Sequence, residues 1–317
     1  MRAYTAREDD ILPYIGWVVI CPTKLQFAHL LSKTDMHFIF YGKETSVMTV
    51  LYILLVLVLL FLLYVLSLCG RRNHPGMAEL KKWNYAHRGL HDDSKPENSM
   101  AAFRAALEGG FGVELDVHLL ADGNLAVLHD SDLQRVTGQS GIIEDLTTRQ
   151  LKNYHLNGTA ETIPEFRQVL ELFAGKAPLI VELKTRNRNH AELAEAVCRM
   201  LENYSGPYCL ESFDPFVIRW LKKNKPDIIR GQLAENTMKA FPEYPWLFRF
   251  ITSFYLENFL TKPDFIAYKF AHRKTLSNRL CRSLWGITGV SWTIRTKEEF
   301  HAAVQEGWIP IFENFLP

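Results

Sequence analysis

No CxxC pair occurs in this chain, and its cysteines, Cys21, Cys69, Cys198, Cys209 and Cys281, are five, an odd number. That pattern supports neither a disulfide framework nor a zinc ribbon and suits a reducing compartment. An excess of one charge is also missing. The formal net charge is +1, so the chain as a whole offers no electrostatic case for nucleic acid. A third lack is local: no residue from Thr45 to Gly70 is charged. What remains is a chain of 317 residues, 48% of them hydrophobic, enough for one large domain or two small ones.

The uncharged stretch contains Val47–Leu68, VMTVLYILLVLVLLFLLYVLSL. The run is long enough to cross a bilayer core as a helix and has no polar stripe of the kind a buried soluble helix shows. A cleaved signal peptide would carry a shorter apolar region and a small-residue cleavage site. Arg71, Arg72, Lys81 and Lys82 follow the run, whereas Lys43 before it is matched by Glu44. The positive-inside rule then predicts a single-pass membrane protein with its C-terminal domain in the cytoplasm. Residues 1–46 hold one short apolar run, Ile11–Ile20, too short to span. Met48 is an alternative start, in which case the preceding residues are not translated. The expected organisation is a segment of unclear status over 1–46, a transmembrane helix over 47–68, a linker over 69–82 and a catalytic domain over 83–317.

From Trp83 onward short apolar runs alternate with helical stretches, the signature of a parallel α/β fold. Candidate strands are Tyr85–His87, Val113–Val117, Leu125–His129, Leu179–Leu183, Tyr208–Glu211, Ile229–Leu233, Asp264–Lys269, Gly289–Thr293 and Pro310–Glu313. Candidate helices include Ser99–Leu107, His190–Tyr204, Pro215–Lys223, Ser277–Leu284 and Thr296–Glu306. Nine strands is one too many for an eight-stranded barrel. The link from His118 to Leu125 is too short for a parallel crossover, and it contains Asp122-Gly123, a hairpin turn signal. Leu125–His129 is therefore expected to fold back on the second strand, leaving a (β/α)8 barrel. Ser131–Glu161 reads as a small insertion or lid on the active-site face. Trp246–Leu260, rich in aromatics, reads either as a surface helix dipping into lipid or, the commoner case, as a barrel helix packed on the core.

Four short patterns carry chemistry: AHRG (Ala86–Gly89), ELDVH (Glu114–His118), VLHD (Val127–Asp130) and VELK (Val181–Lys184). In ELDVH the carboxylates of Glu114 and Asp116 stand two apart on a strand and share a face, opposite the apolar face of Val113, Leu115 and Val117. Two carboxylates pointing into a barrel repel each other unless a cation lies between them, and an oxygen-only set suits Mg²⁺ or Ca²⁺. The bland alternative is a solvated pair on an edge strand. Glu182 repeats the pattern as a third oxygen ligand, with Lys184 beside it to neutralise phosphate; a structural ion pair is the alternative there. His87 and His129 end strand-like runs, where barrel sites lie, and imidazoles suit both proton removal and proton delivery near neutral pH. Arg88 can bind phosphate in bidentate fashion. His91 and His118 are weaker candidates, lacking obvious partners.

Taken in order, His87-Arg88-Gly89, Pro96-Glu97-Asn98-Ser99, Glu114-Leu115-Asp116, Asp122-Gly123, His129-Asp130 and Glu182-Leu183-Lys184 resemble the motifs of the glycerophosphodiester phosphodiesterase family. The resemblance covers roughly Trp83 to Pro317. It implies a (β/α)8 barrel, one divalent cation held by Glu114, Asp116 and Glu182, and His87 with His129 as the acid/base pair. Glu97 and Asn98 look like supports for the first loop, Ser99 like a helix N-cap, and Trp292 like the family's aromatic near the substrate's glycerol. Two positions depart from the pattern. Arg295 stands where a small polar residue is usual, and Glu313 where the last strand usually carries Asp.

The resemblance implies hydrolysis of glycerophosphodiesters to glycerol 3-phosphate and an alcohol, with a small-molecule or lipid-derived substrate. The membrane helix raises lysophospholipase D-type hydrolysis at the lipid surface as an alternative. A catalytically dead, membrane-anchored binding barrel is the rival from another class, but such a chain should have lost a metal carboxylate or a histidine, and all five are present.

Overall fold

A computed structural model of the protein describes residues 24–240 and 242–317, with side chains from residue 46 onward. The run Ile11–Ile20 lies outside the described residues. The chain divides into two compact units, Met1–Phe61 and Leu62–Pro317. The first, as far as it is described, is part of one long helix, Lys24–Ser67. Its stretch Ser46–Ser67 is 22 residues of uncharged sequence with none of its apolar window buried. At 1.5 Å per residue this is about 33 Å, the thickness of a bilayer's hydrocarbon core.

The second unit is a closed barrel. Its strands are β1 (Tyr85–His87), β2 (Gly112–Leu119), β3 (Leu125–Val127), β4 (Leu179–Leu183), β5 (Tyr208–Ser212), β6 (Arg230–Ala234), β7 (Phe265–Lys269), β8 (Thr288–Ile294) and β9 (Trp308–Phe312). Sheet order is β1-β9-β8-β7-β6-β5-β4-β2-β3, and pairing of β1 with β2 closes the ring. Eight strands are parallel staves. The ninth, β3, pairs antiparallel with β2, Val117 opposite Val127, as the Asp122-Gly123 turn predicts. Gly123 takes φ +81° there, a conformation that favours glycine.

Alternation on β2 sorts the two cores. Val113, Leu115 and Val117 pack outward against helical residues such as Phe103, Phe166 and Val197. Inside the ring, Tyr85, Ile180, Ile229, Phe265 and Ile309 form a second cluster. That inner cluster includes Met77 and Leu80 from a short helix, Met77–Leu80. The stretch 69–82, expected as a linker, is thus part of the barrel's packing. Arg71 donates to Asp264 Oδ1 and Oδ2 at 2.5 and 2.6 Å, and Arg72 donates to the carbonyls of Leu284 and Trp285. The end of the long helix joins the same unit. Tyr64 bonds Ser277 at 2.9 Å, Trp285 Nε1 donates to the Val65 carbonyl, and Leu68, just past the helix, is fully buried.

The insertion Ser131–Glu161 has a core of its own, in which Leu133, Val136, Ile143, Leu146, Leu151 and Leu156 pack with Leu120, Ala126 and Leu128 of the hairpin. Ser99 caps the helix Met100–Glu108, accepting from Ala102 N at 3.1 Å. The aromatic stretch departs from the commoner expectation in its first half, while Tyr255 in its second half is fully buried in the outer core. In the helix Trp246–Ser253 only Ser253 is buried, and Trp246 is 64% exposed, so this is not a helix packed on the core.

Candidate active site

The strand ends open into a cavity of about 750 Å³. It is lined by His87, Arg88, Glu97, Glu114, His129, Glu182, Lys184, Glu211, Trp292, Arg295 and Glu313, among others. Register brings the acids together. Glu114 lies opposite His87 across β1–β2, Glu182 opposite Asp116 across β2–β4, and Glu211 opposite Glu182 across β4–β5. The ligand atoms of Glu114, Asp116 and Glu182 lie within 4.8 Å of one another, and all three residues are buried.

Burial and mutual repulsion shape this cluster. Burial, then the neighbouring carboxylates of Asp116, Glu182 and Glu211, push Glu114 well above the usual carboxyl range. Burial likewise pushes Glu182 up to about 7, against the pull of Lys184. Asp116 goes the other way. Burial would raise it, but Lys184, His129, Arg88 and the Asn98 amide outweigh that and hold it ionised. Lys184 Nζ reaches Asp116 Oδ1 at 3.0 Å and Glu182 Oε1 at 2.8 Å. Asn98 Nδ2 donates to Asp116 Oδ2 at 2.9 Å, and the Arg88 backbone N–H donates to Glu114 Oε2 at 3.2 Å. Four buried carboxylates, counting Glu211, face two cations, Arg88 and Lys184. The remaining formal charge and the oxygen-only donor set fit a divalent cation of the Mg²⁺ or Ca²⁺ kind.

Each predicted histidine has a carboxylate on Nδ1. His87 meets Glu313 Oε2 at 2.5 Å, and His129 meets Asp130 Oδ1 at 2.6 Å. This leaves Nε2 of each ring for other partners; that of His87 is 3.9 Å from Glu114 Oε2. Burial lowers His87, with Glu313 opposing, and lowers His129 to about 4. The His-Arg-Gly turn has a local cause. Arg88 takes φ +54° and Gly89 φ +82°, and a Cβ on Gly89 would stand 2.9 Å from the Ala102 backbone. Arg88 NH1 donates to Glu97 Oε1 at 2.9 Å. Glu97 accepts from Arg135 as well, at 2.7 and 2.9 Å, and Arg135 in turn pairs with Asp130. One chain of charges therefore ties the first loop to the insertion and to His129.

The two departures from the family pattern are partners. Arg295 Nε donates to Glu313 Oε1 at 2.7 Å while Oε2 holds His87. Neither was expected in this role, nor was Glu211, whose Oε2 has no partner among the described residues. A charge inside the apolar run CLES was the available signal for Glu211. Of the weaker histidines, His91 lies 3.8 Å from Glu313. His118 is buried against Glu144 at 2.8 Å, outside the cavity lining. Trp292 lines the cavity, stacks edge-on against Phe213 with centroids 5.8 Å apart, and has an indole N–H without a partner among the described residues.

A closed parallel barrel with this site at its strand ends belongs to a class of enzymes, and comparison with known proteins identifies which. The family model described as the glycerophosphoryl diester phosphodiesterase family matches residues 87–316. A glycerophosphodiester phosphodiesterase of Caldanaerobacter subterraneus is 31% identical over 54% of this chain and 79% of its own. The human glycerophosphodiester phosphodiesterase 1 is 29% identical over 68% and 72%. Among solved structures, an Oleispira antarctica phosphodiesterase in complex with the product sn-glycerol-3-phosphate shares the fold at 24% identity and TM-score 0.61, over 73% of this chain and 92% of that one. The Thermotoga maritima glycerophosphodiester phosphodiesterase has 25% identity and TM-score 0.56, over 72% and 92%. The chain belongs to the glycerophosphoryl diester phosphodiesterase family.

Proposed function

We propose that the clustered residues carry out a metal-assisted, two-imidazole cleavage. The reaction is that of the family: hydrolysis of a glycerophosphodiester to glycerol 3-phosphate and an alcohol. The observation that supports the mechanism is the meeting, in one cavity, of three buried carboxylates and two carboxylate-paired histidines. Glu114, Asp116 and Glu182 would hold a divalent cation, which supplies Lewis-acid polarisation of the phosphoryl oxygens.

The chain's own residues do the rest. Arg88, braced by Glu97, offers its guanidinium to a phosphoryl oxygen. One imidazole takes the proton of the nucleophile, which is the substrate's own glycerol 2-hydroxyl or water, and the other delivers a proton to the departing alkoxide. Glu313 and Asp130, each on an Nδ1, fix the tautomer and leave Nε2 for those transfers. Trp292 walls the glycerol side.

Of the possible cations, the oxygen ligands favour Mg²⁺ or Ca²⁺. The helix Ser46–Ser67 is read as a single membrane span, and the following basic residues as placing the barrel on the cytoplasmic side. A turnover panel of glycerophosphodiesters with Mg²⁺, Ca²⁺ and Mn²⁺, and a chelator control, tests the mechanism. Activity that survives the chelator would contradict the cation assignment. Protease protection in sealed vesicles tests the sidedness.

A further inference from the structure

We propose that a basic pocket on the outside of the barrel binds the headgroup of a membrane phospholipid carrying more than one negative charge. The proposal rests on reading Ser46–Ser67 as a membrane span, and the site lies apart from the catalytic one. The sequence already marks the region. The chain as a whole has a formal net charge of +1, yet no Asp or Glu occurs between Asp264 and Glu298, a stretch with seven lysines and arginines.

The fold gathers four of these cations. A pocket of about 550 Å³ is lined by Arg273, Lys274, Arg279 and Arg282, and by one acid, Glu306. That volume is in the range of small-molecule sites. The pocket shares no lining residue with the catalytic cavity. Glu306 is already engaged, because Arg273 donates Nε and NH2 to its two carboxylate oxygens at 2.7 and 2.9 Å. Arg282 lies over the Trp308 ring, 4.0 Å from its centroid, and donates one N–H to the Glu306 carbonyl. Lys274 and Arg279 are exposed and have no ion-pair partner among the described residues. Three cations thus face no carboxylate of their own, which suits a ligand with several negative charges.

The end of the span brings this pocket to a lipid surface. Its cations stand on two consecutive helical pieces, Leu276–Arg279 and Leu280–Leu284, or just before them. The last turn of the apolar helix packs on the same pieces. The Tyr64 and Ser277 hydroxyls are 2.9 Å apart, and Trp285 Nε1 donates to the Val65 carbonyl at 2.8 Å. Tyrosine and tryptophan at the end of a span mark the level of the headgroups. Leu276 and Leu284 are 53% and 51% exposed, apolar side chains beside basic ones, as on helices that lie in that layer. A soluble inositol phosphate would meet the cations but make no use of these leucines.

The test uses the full chain in dodecylmaltoside, with native mass spectrometry to follow the lipids it retains. Phosphatidylinositol 4,5-bisphosphate should be retained in preference to phosphatidylcholine. Each cation removed should cost about five-fold in affinity, so Lys274→Ala with Arg279→Ala should lose about 25-fold. Glycerophosphocholine turnover by that double variant should stay within two-fold of wild type. A matched pair in the insertion, Arg149→Ala with Lys152→Ala, should keep the lipid. Unchanged retention in the first double variant overturns the proposal, and so does an equal loss in the second. Inositol 1,4,5-trisphosphate binding as tightly as the lipid overturns the lipid assignment, and loss of turnover together with the lipid overturns the separation of the two sites. Extraction of the full chain from membranes by alkaline carbonate overturns the span reading and the proposal with it. Failure of phosphoinositide binding in a chain that resists extraction overturns the proposal alone.

Discussion

Replacing Glu313 by glutamine tests the least expected element of the site. Its carboxylate joins His87 Nδ1 to Arg295 Nε through separate oxygens. The carboxamide keeps the shape but offers one acceptor and one donor. Arg295 can only donate, so it takes the acceptor and turns the NH₂ toward His87, against the required tautomer. A hydrogen bond to a charged group contributes about 1.5–3 kcal/mol, so kcat should fall about 10- to 150-fold. KM for glycerophosphocholine should hardly move, because Glu313 is assigned to the imidazole and not to phosphate. The pH profile adds an independent sign. Burial lowers the His87 pKa and Glu313 raises it. Removing the carboxylate therefore moves the limb belonging to His87 to lower pH, whether His87 acts as acid or base. Steady-state kinetics from pH 5 to 9, with circular dichroism to check folding, decide the matter. A kcat within three-fold of wild type and an unmoved limb would refute the role given to Glu313.

Further outcomes follow from other parts of the site and core. His129→Ala should remove turnover while calorimetric binding of substrate stays within a few-fold; turnover close to wild type would remove His129 from the chemistry. Glu182→Gln should weaken cation affinity by at least about 100-fold, since even loss of an outer partner costs about 10- to 100-fold; titration calorimetry measures it, and unchanged affinity would exclude Glu182 as a ligand. Glu257, far from the motifs and 4% exposed, has its carboxyl pushed by burial from 4.5 to about 8. The folded chain then keeps a proton that the unfolded chain releases, so stability falls as pH rises between those values. Glu257→Gln should abolish that fall and stabilise the protein at pH 8 by several kcal/mol, on the order of 1.4 kcal/mol for each unit of the shift; parallel denaturation curves for both proteins across pH 5–8 would contradict it.

The barrel was legible because its evidence is local. Strand and helix periods alternate, and Asp122-Gly123 removes the surplus strand. Glu114 and Asp116 were legible for the same reason, two charges sharing a face of an apolar strand. The pairing of Arg295 with Glu313 was not, because each looks like an isolated deviation until closure brings β8, β9 and β1 together. Glu211 needed the register of β4 on β5 to place it beside Glu182. The helix at Trp246 misled in the opposite direction. Its apolar residues match a core face in composition, and only tertiary structure shows that the barrel leaves them uncovered.

Met77 and Leu80 bear on what separating the apolar helix from the barrel would cost. They sit among the residues that fill the inside of the barrel, in the short helix Met77–Leu80 that follows the end of the apolar helix at Ser67. The chain between the apolar helix and the first strand is therefore no slack tether. A cut there would detach Arg71 from Asp264 or pull the stopper out of the ring. Cutting the chain between Cys69 and Met77 would therefore cost the barrel packing and ion pairing as well as remove the apolar helix.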